Sequence, residues 1–322
     1  LSTFFGNNCL IFSLKRKSFV PYIVRFYNDY FSCHYFCFTM QPLISAAELL
    51  ALFQNNNSFV LVDARAGSAT IREQYVEQHL EGAIFVSLED ELAEKSDNAA
   101  NGGRHPLPSA ERFATLMGKL GIEPQTHVVV YDDKNGANAA SRFWWMMKAI
   151  GHENVQVLNG GLQAAVAAGV PSNADVVAPH KETIYIAPKW LLPMKNIDEV
   201  ASAALDAHHI VVDVRDHERY LGNHEPIDLI AGHIPGAVNI PFAENLDANG
   251  IFRSPEELRA KYAKAFANVP PENVIVHCGS GVTACHTLLA MAHAGLEIPA
   301  LYVGSWSEWS RNPRVIATGE DS

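Results

Sequence analysis

Cysteine is scarce where cross-links would need it. Of the five in this 322-residue chain, Cys9, Cys33 and Cys37 fall within the first 39 residues, leaving only Cys278 and Cys285 for the rest. That is no disulfide framework, and it suits a reducing compartment. Basic runs are short as well: none exceeds Lys15-Arg16-Lys17, and the net charge is −11. A face that neutralises phosphates is therefore not expected, which argues against a nucleic-acid partner. An anionic substrate would have to be met by local donors. With 48% hydrophobic and 18% charged residues the chain is too apolar for disorder and long enough for two ordinary domains.

Residues 1–39 do not resemble the rest of the chain. They are crowded with Phe and Tyr, have Asp29 as their only acid, and contain no apolar run long enough to span a bilayer. No membrane partner is expected. The stretch Cys33-His34-Tyr35-Phe36-Cys37 lacks a second Cys or His pair nearby, so no metal site is expected there. The expectation is a dispensable extension with the native start at Met40, in a cytoplasmic protein. A mitochondrial transit peptide is the alternative, because the composition is basic and acid-poor, although the aromatic load does not fit.

From Met40 onward the chain repeats itself. VLVDAR at 60–65 returns as IVVDVR at 210–215, HLEGAIFVSLED at 79–90 as HIPGAVNIPFAE at 233–244, and HVVVYDD at 127–133 as NVIVHCG at 273–279. One fold has been written twice. Each copy alternates short β-rich runs with helical patterns, which predicts an α/β protein of two tandem domains, each a parallel sheet with helices on both faces. Ser109 and Ser254 stand where helix N-caps belong, with acids in the first turn. The division expected is an extension at 1–39, a first copy at 40–178, a Pro-containing linker at 179–196 and a second copy at 197–322.

The copies differ most after one strand. The second has Cys278-Gly279-Ser280-Gly281-Val282-Thr283, where the first has Asp132-Asp133-Lys134-Asn135-Gly136-Ala137 and no thiol. In an open parallel sheet ligands bind beyond the carboxyl ends of strands, so Cys278 is the candidate nucleophile. Gly279 and Gly281 allow successive N–H groups to turn toward the sulfur, and the following helix aims its positive end at the same point; both favour a thiolate. Cys285, two helical turns deeper, reads as an inert core residue. Ser280 and Thr283 could serve the reaction or merely cap the helix. Asp213, Arg215 and His233 recur as Asp63, Arg65 and His79 in the thiol-free copy, so they read as clamps at the strand ends. The aromatics of SRFWWMMKAIGH at 141–152 read as core.

The tandem copies, GHIPGAVNIPF at 232–242, GSWSEW at 304–309 and CGSGVTAC at 278–285 together resemble the two-domain rhodanese family of sulfurtransferases, over nearly everything after Met40. The loop is specifically similar to that of 3-mercaptopyruvate sulfurtransferases; thiosulfate-using members carry basic residues after the Cys, whereas Gly279 and Ser280 are uncharged. The resemblance implies a sulfane sulfur carried from a small-molecule donor on Cys278 as a persulfide, with no cofactor and no metal, and passed to cyanide or to a thiol such as thioredoxin or glutathione. It implies Cys278 and Ser280 as catalytic, and Arg219, Gly279, Gly281, Val282 and Thr283 as the substrate-binding set. Thiosulfate is the alternative donor. A second Arg that many mercaptopyruvate enzymes carry is replaced by Ile227, and Arg104 or Arg142 of the first copy could substitute, although each reads more readily as surface or structural.

Two rival readings are weaker. A Cys-dependent phosphatase or arsenate reductase needs an Arg six residues after the Cys, where this chain has Ala284. A non-catalytic binding module predicts a dead loop, and this one keeps its thiol.

Overall fold

The structure, a computed structural model, describes residues 40–67, 70–178, 180–267 and 269–320. The expectation for the extension lies outside the described residues. From Met40 the chain forms two sheets with the same strand order. In the first copy the order is Leu43–Ile44, Val155–Leu158, Val128–Tyr131, Val60–Arg65, Ile84–Ser87, all parallel. In the second it is Ala300–Leu301, Val274–His277, Ile210–Asp213, Val238–Asn239, again parallel. Met194 adds a parallel bridge to Leu301, at the place that Leu43–Ile44 takes in the first sheet. The small antiparallel pairing of His79–Leu80 with Ser172–Asn173 likewise has a counterpart in the bridge between His233 and Ala317.

Strand side chains alternate between two cores, as a sheet covered on both faces requires. In the first copy Leu61, Val129 and Leu158 pack outward with Leu49 of Ala46–Gln54 and with Leu162 and Ala165 of Gly161–Ala167. In the second, Val211, Ile275 and Ala300 do the same with Val200 of Ile197–Ala203 and Trp306 and Trp309 of Ser305–Trp309. The other faces of both sheets share one core. Val62, Val130 and Val157 join Val212, Val276 and Leu301 through Phe143, Trp144 and Trp145 of Ala139–Ala149 and Leu288 and Leu289 of Thr283–His293. The two helices that follow the divergent loops therefore pack on each other.

Local signals agree with these elements. Ser109 accepts from the Arg112 N–H, and Ser254 forms a capping box with Glu257. Asp63 lies opposite Tyr131, and Asp213 opposite His277. Asp132 and Cys278 consequently take the same position, one residue past the carboxyl end of a central strand.

Candidate active site

Cys278 is 1% exposed and, like Cys285, a free thiol. One segment, residues 302–307, fixes the backbone at Cys278. Its N–H donates to Ser305 Oγ at 3.2 Å, and that hydroxyl donates to the Tyr302 carbonyl at 2.9 Å. Its carbonyl accepts from the Trp306 N–H at 3.0 Å, while the Gly279 carbonyl accepts from Ser307 at 2.9 Å. Ser305 takes φ 55°, a left-handed conformation uncommon for a residue with a Cβ. Gly281 at φ 74° is the turn that needs glycine: a Cβ there would stand 2.6 Å from the Val303 carbonyl oxygen. Among the described residues, the N–H groups of Gly279, Ser280, Gly281 and Val282 donate to no protein acceptor.

The first-copy loop shows what such N–H groups do when an anion is present. The Asp132 carboxylate, fully buried, accepts from Lys134 at 2.9 Å and Gly136 at 2.7 Å on one oxygen, and from Asn138 at 3.0 Å and Ala140 at 3.2 Å on the other. The same strand-to-helix turn thus makes a nest of converging donors.

Cys278, Gly279, Ser280, Val282, Thr283 and Arg219 line one cleft of about 260 Å³, with Ile227 on its wall. Gly281 shapes the turn behind it. Neither hydroxyl caps the helix, which corrects the capping alternative: Val282 stands at the N-cap without a side-chain bond, and Ser280 Oγ lies 2.9 Å from His105 Nδ1. His105 comes from the first copy, and sequence reasoning missed it. Burial, then Arg142 and Arg104, push its pKa down to about 4, so it is a neutral imidazole at pH 7. Its only signal was the run Gly-Gly-Arg-His-Pro at 102–106, in a loop without periodicity.

Arg142 is not a surface residue, and it holds backbone rather than facing the cleft. It is fully buried, and it donates from Nη1 to the Gly281 carbonyl and from Nη2 to the His105 carbonyl, both at 3.0 Å. Burial pulls its pKa below the usual guanidinium value, while Cys285 and Cys278 act in the other direction. Cys285 donates to the Gly281 carbonyl at 3.3 Å, and burial pushes its thiol up to about 12. Arg104 is not a surface residue: it enters the cleft and pairs with Asp228.

Arg219 binds Glu225 from Nη2 at 2.7 Å and from Nε at 3.2 Å, and reaches Asp228 at 3.3 Å. Arg215 clamps Asp213, Glu225 and the Gly232 carbonyl, and stacks 4.6 Å from the Trp306 ring. Burial opposes the charge on Asp213, but Arg215 and His277 outweigh it and hold the carboxyl below its ordinary range. Arg65 binds Asp63 and the Gln78 carbonyl in the same manner in the thiol-free copy. This is the geometry of a strand-end clamp. Among the described residues no cluster of three or more His, Cys, Asp or Glu is placed to hold a metal, and no helix is long and apolar enough to cross a membrane.

A buried thiol beyond a central strand, free N–H donors around it and guanidiniums at its mouth suit attack on a sulfur carried by an anion. The comparisons give the same chemistry. The rhodanese-like domain model matches twice, at residues 45–168 and 196–312. A thiosulfate sulfurtransferase of Bos taurus is 40% identical over 248 residues, 76% of this chain and 81% of the relative. A 3-mercaptopyruvate sulfurtransferase of Mus musculus is 36% identical over 244 residues, 74% of this chain and 79% of the relative. The 3-mercaptopyruvate sulfurtransferase structure from Leishmania major superposes with a TM-score of 0.71 at 28% identity, covering 84% of this chain and 74% of that one. With the repeat legible in sequence, in sheet order and in the doubled match, the chain belongs to the rhodanese family as a sulfurtransferase built of two tandem rhodanese-like domains.

Proposed function

We propose that the sulfur donor is 3-mercaptopyruvate and that Cys278 carries the sulfur. The observation that carries the choice is the pairing of Ser280 Oγ with the neutral His105 at 2.9 Å, beside Cys278 in the same cleft. Transfer from mercaptopyruvate has to move a proton. As Cys278 Sγ bonds to the donor sulfur, the carbon–sulfur bond breaks and its electron pair leaves on carbon as the pyruvate enolate. The donor's thiol proton, taken up and returned through Ser280 and His105, ends on that carbon. Pyruvate departs, and Cys278 is left as a persulfide anion within reach of the loop N–H groups. Thiosulfate would leave sulfite, which needs no proton.

In the second half-reaction an acceptor attacks the outer sulfur and restores the Cys278 thiolate. Cyanide gives thiocyanate; a thiol such as glutathione or thioredoxin leaves with the sulfur. A cycle that depends on a free thiol suits a reducing compartment, the cytoplasm or the mitochondrial matrix.

Thiosulfate is the second reading, and one observation favours it. The uncharged loop does not leave the site without cations, because a Cβ on Gly279 would lie 3.4 Å from Arg104 Nη2 and 3.6 Å from Arg219 Nη2. These guanidiniums would suit departing sulfite. Steady-state rates with both donors, measured side by side on one preparation, decide: a higher kcat/KM for mercaptopyruvate supports the proposal, and a higher value for thiosulfate overturns it.

A further inference from the structure

Behind the cleft lies a cluster of buried charge. Asp228, whose side chain is fully buried, is paired with Arg104, with Arg219 at 3.3 Å and with Arg311 at 3.1 Å. Glu225, nearly as buried, is shared by Arg215 at 3.3 Å and Arg219 at 2.7 Å, and Asp213 is held by Arg215. Four guanidiniums thus face three carboxylates within the cluster, an excess of one positive charge among its own ion pairs. Of these seven groups only Arg104 and Arg219 line the cleft. The three acids of the cluster lie behind, while Glu89, which accepts from the Gly67 N–H at 2.9 Å, is the acid that lines the cleft itself.

Arg104 differs from Arg219 in what it has free. Arg219 spends Nε and Nη2 on Glu225 and Asp228. Arg104 spends Nη1 on Asp228, while its Nη2, the nitrogen nearest the Gly279 position, donates to no acceptor among the described residues. Its backbone N–H donates to Ser307 Oγ at 3.0 Å, in the segment that also fixes Cys278 and Gly279. The guanidinium is therefore anchored at both ends to the copy that carries the thiol, although it belongs to the other.

We propose that Arg104 is a donor-binding residue: together with Arg219 it grips the donor carboxylate over Gly279 from the opposite domain, which makes substrate recognition a property of the pair of domains. This rests on the mercaptopyruvate reading for the identity of the anion. A guanidinium with a free edge matches a carboxylate through its fixed fork of donors. Ile227, 55% exposed on the wall of the same cleft, offers a second place from which a cation could reach that carboxylate.

The test uses the full chain, with kcat and KM for mercaptopyruvate and for thiosulfate and a thermal midpoint for each variant. Arg104→Gln is expected to raise KM for mercaptopyruvate about tenfold with little change in kcat, the size of one charge-assisted hydrogen bond lost equally from bound and reacting states. Ile227→Arg is expected to restore most of that loss in the Arg104→Gln background and to change the wild type little, a rescue that a purely structural tie to Asp228 does not produce. Should Arg104→Gln fail to fold, Arg104→Lys keeps the ion pair without the fork, and a raised KM in it supports the same conclusion. An unchanged KM with only a lowered midpoint overturns the proposal. A wild type more efficient with thiosulfate overturns the donor reading instead, and KM for thiosulfate in these variants then decides whether Arg104 binds the donor.

Discussion

Arg142 Nη1 donates to the Gly281 carbonyl at 3.0 Å, so a fully buried cation on the helix of the thiol-free copy holds the loop of the thiol-bearing one. Its Nη2 holds the His105 carbonyl at the same distance. Replacing it by Met leaves both acceptors unpaired, at a cost of about 1–3 kcal/mol each. Arg142→Met is expected to lower the thermal midpoint and to abolish most sulfur transfer with either donor, read by calorimetry and steady-state rates. Unchanged activity in a folded variant would show that the loop holds itself.

Cys278→Ser is expected to abolish transfer, while Cys285→Ser leaves most of it. Both thiols are buried, but Cys285 is inside the helix, bonded to the Gly281 carbonyl and protonated at neutral pH with its pKa pushed up to about 12. Intact-mass analysis after exposure to donor should show one added sulfur on the wild type and on Cys285→Ser. Sulfur retained by Cys278→Ser contradicts the assignment.

His105→Gln should slow turnover of mercaptopyruvate about a hundredfold or more, the lower range for a lost proton-transferring side chain, and should spare thiosulfate turnover, whose leaving group takes no proton. Stability supplies a second signature. His105 titrates near 4 when folded and near 6.5 when unfolded, so between these values the unfolded chain binds more protons. Its contribution is complete above about pH 6.5 and is lost as pH falls toward 4. His286, held near 3 by burial, acts with the same sign. Urea unfolding across pH 4–7 should give a shallower slope for His105→Gln than for the wild type; equal slopes count against a depressed His105.

Gly281→Ala should lower both stability and rate. The new methyl would sit 2.6 Å from the Val303 carbonyl oxygen on a backbone at φ 74°, and the left-handed conformation alone costs about 1–2 kcal/mol. Gly169→Ala, also at positive φ but with open space around its Cβ, is the control for backbone strain without the clash. A similar loss in both variants would assign the effect to backbone conformation.

The repeat, the strands and the place of Cys278 past a strand end were legible because each is local in the chain: a β-rich run of four residues ends just before Cys278, and its counterpart ends just before Asp132. His105 was not. It meets Ser280 across 175 residues, from a loop whose spacing carries no helical or strand period, and only the packing of two sheets around one core brings them together. Arg104 reads as a surface residue in sequence, because the buried Asp228 that draws it into the cleft looks there like any loop acid. Ser305, whose hydroxyl anchors Cys278, stands in a stretch whose only sequence signal is its resemblance to the family.

Asp132 fills its own turn permanently, whereas the corresponding turn at Cys278 keeps its N–H donors unspent before sulfur is loaded. Loaded sulfur stays bonded to Cys278 when the chain unfolds, but only the native turn brings N–H donors to it, and every donor it satisfies there shifts the folding equilibrium toward the native state. The persulfidated enzyme should melt above the unloaded one, and cyanide, by stripping the sulfur, should return the midpoint to its starting value, so that the catalytic cycle can be followed as a cycle of thermal stability.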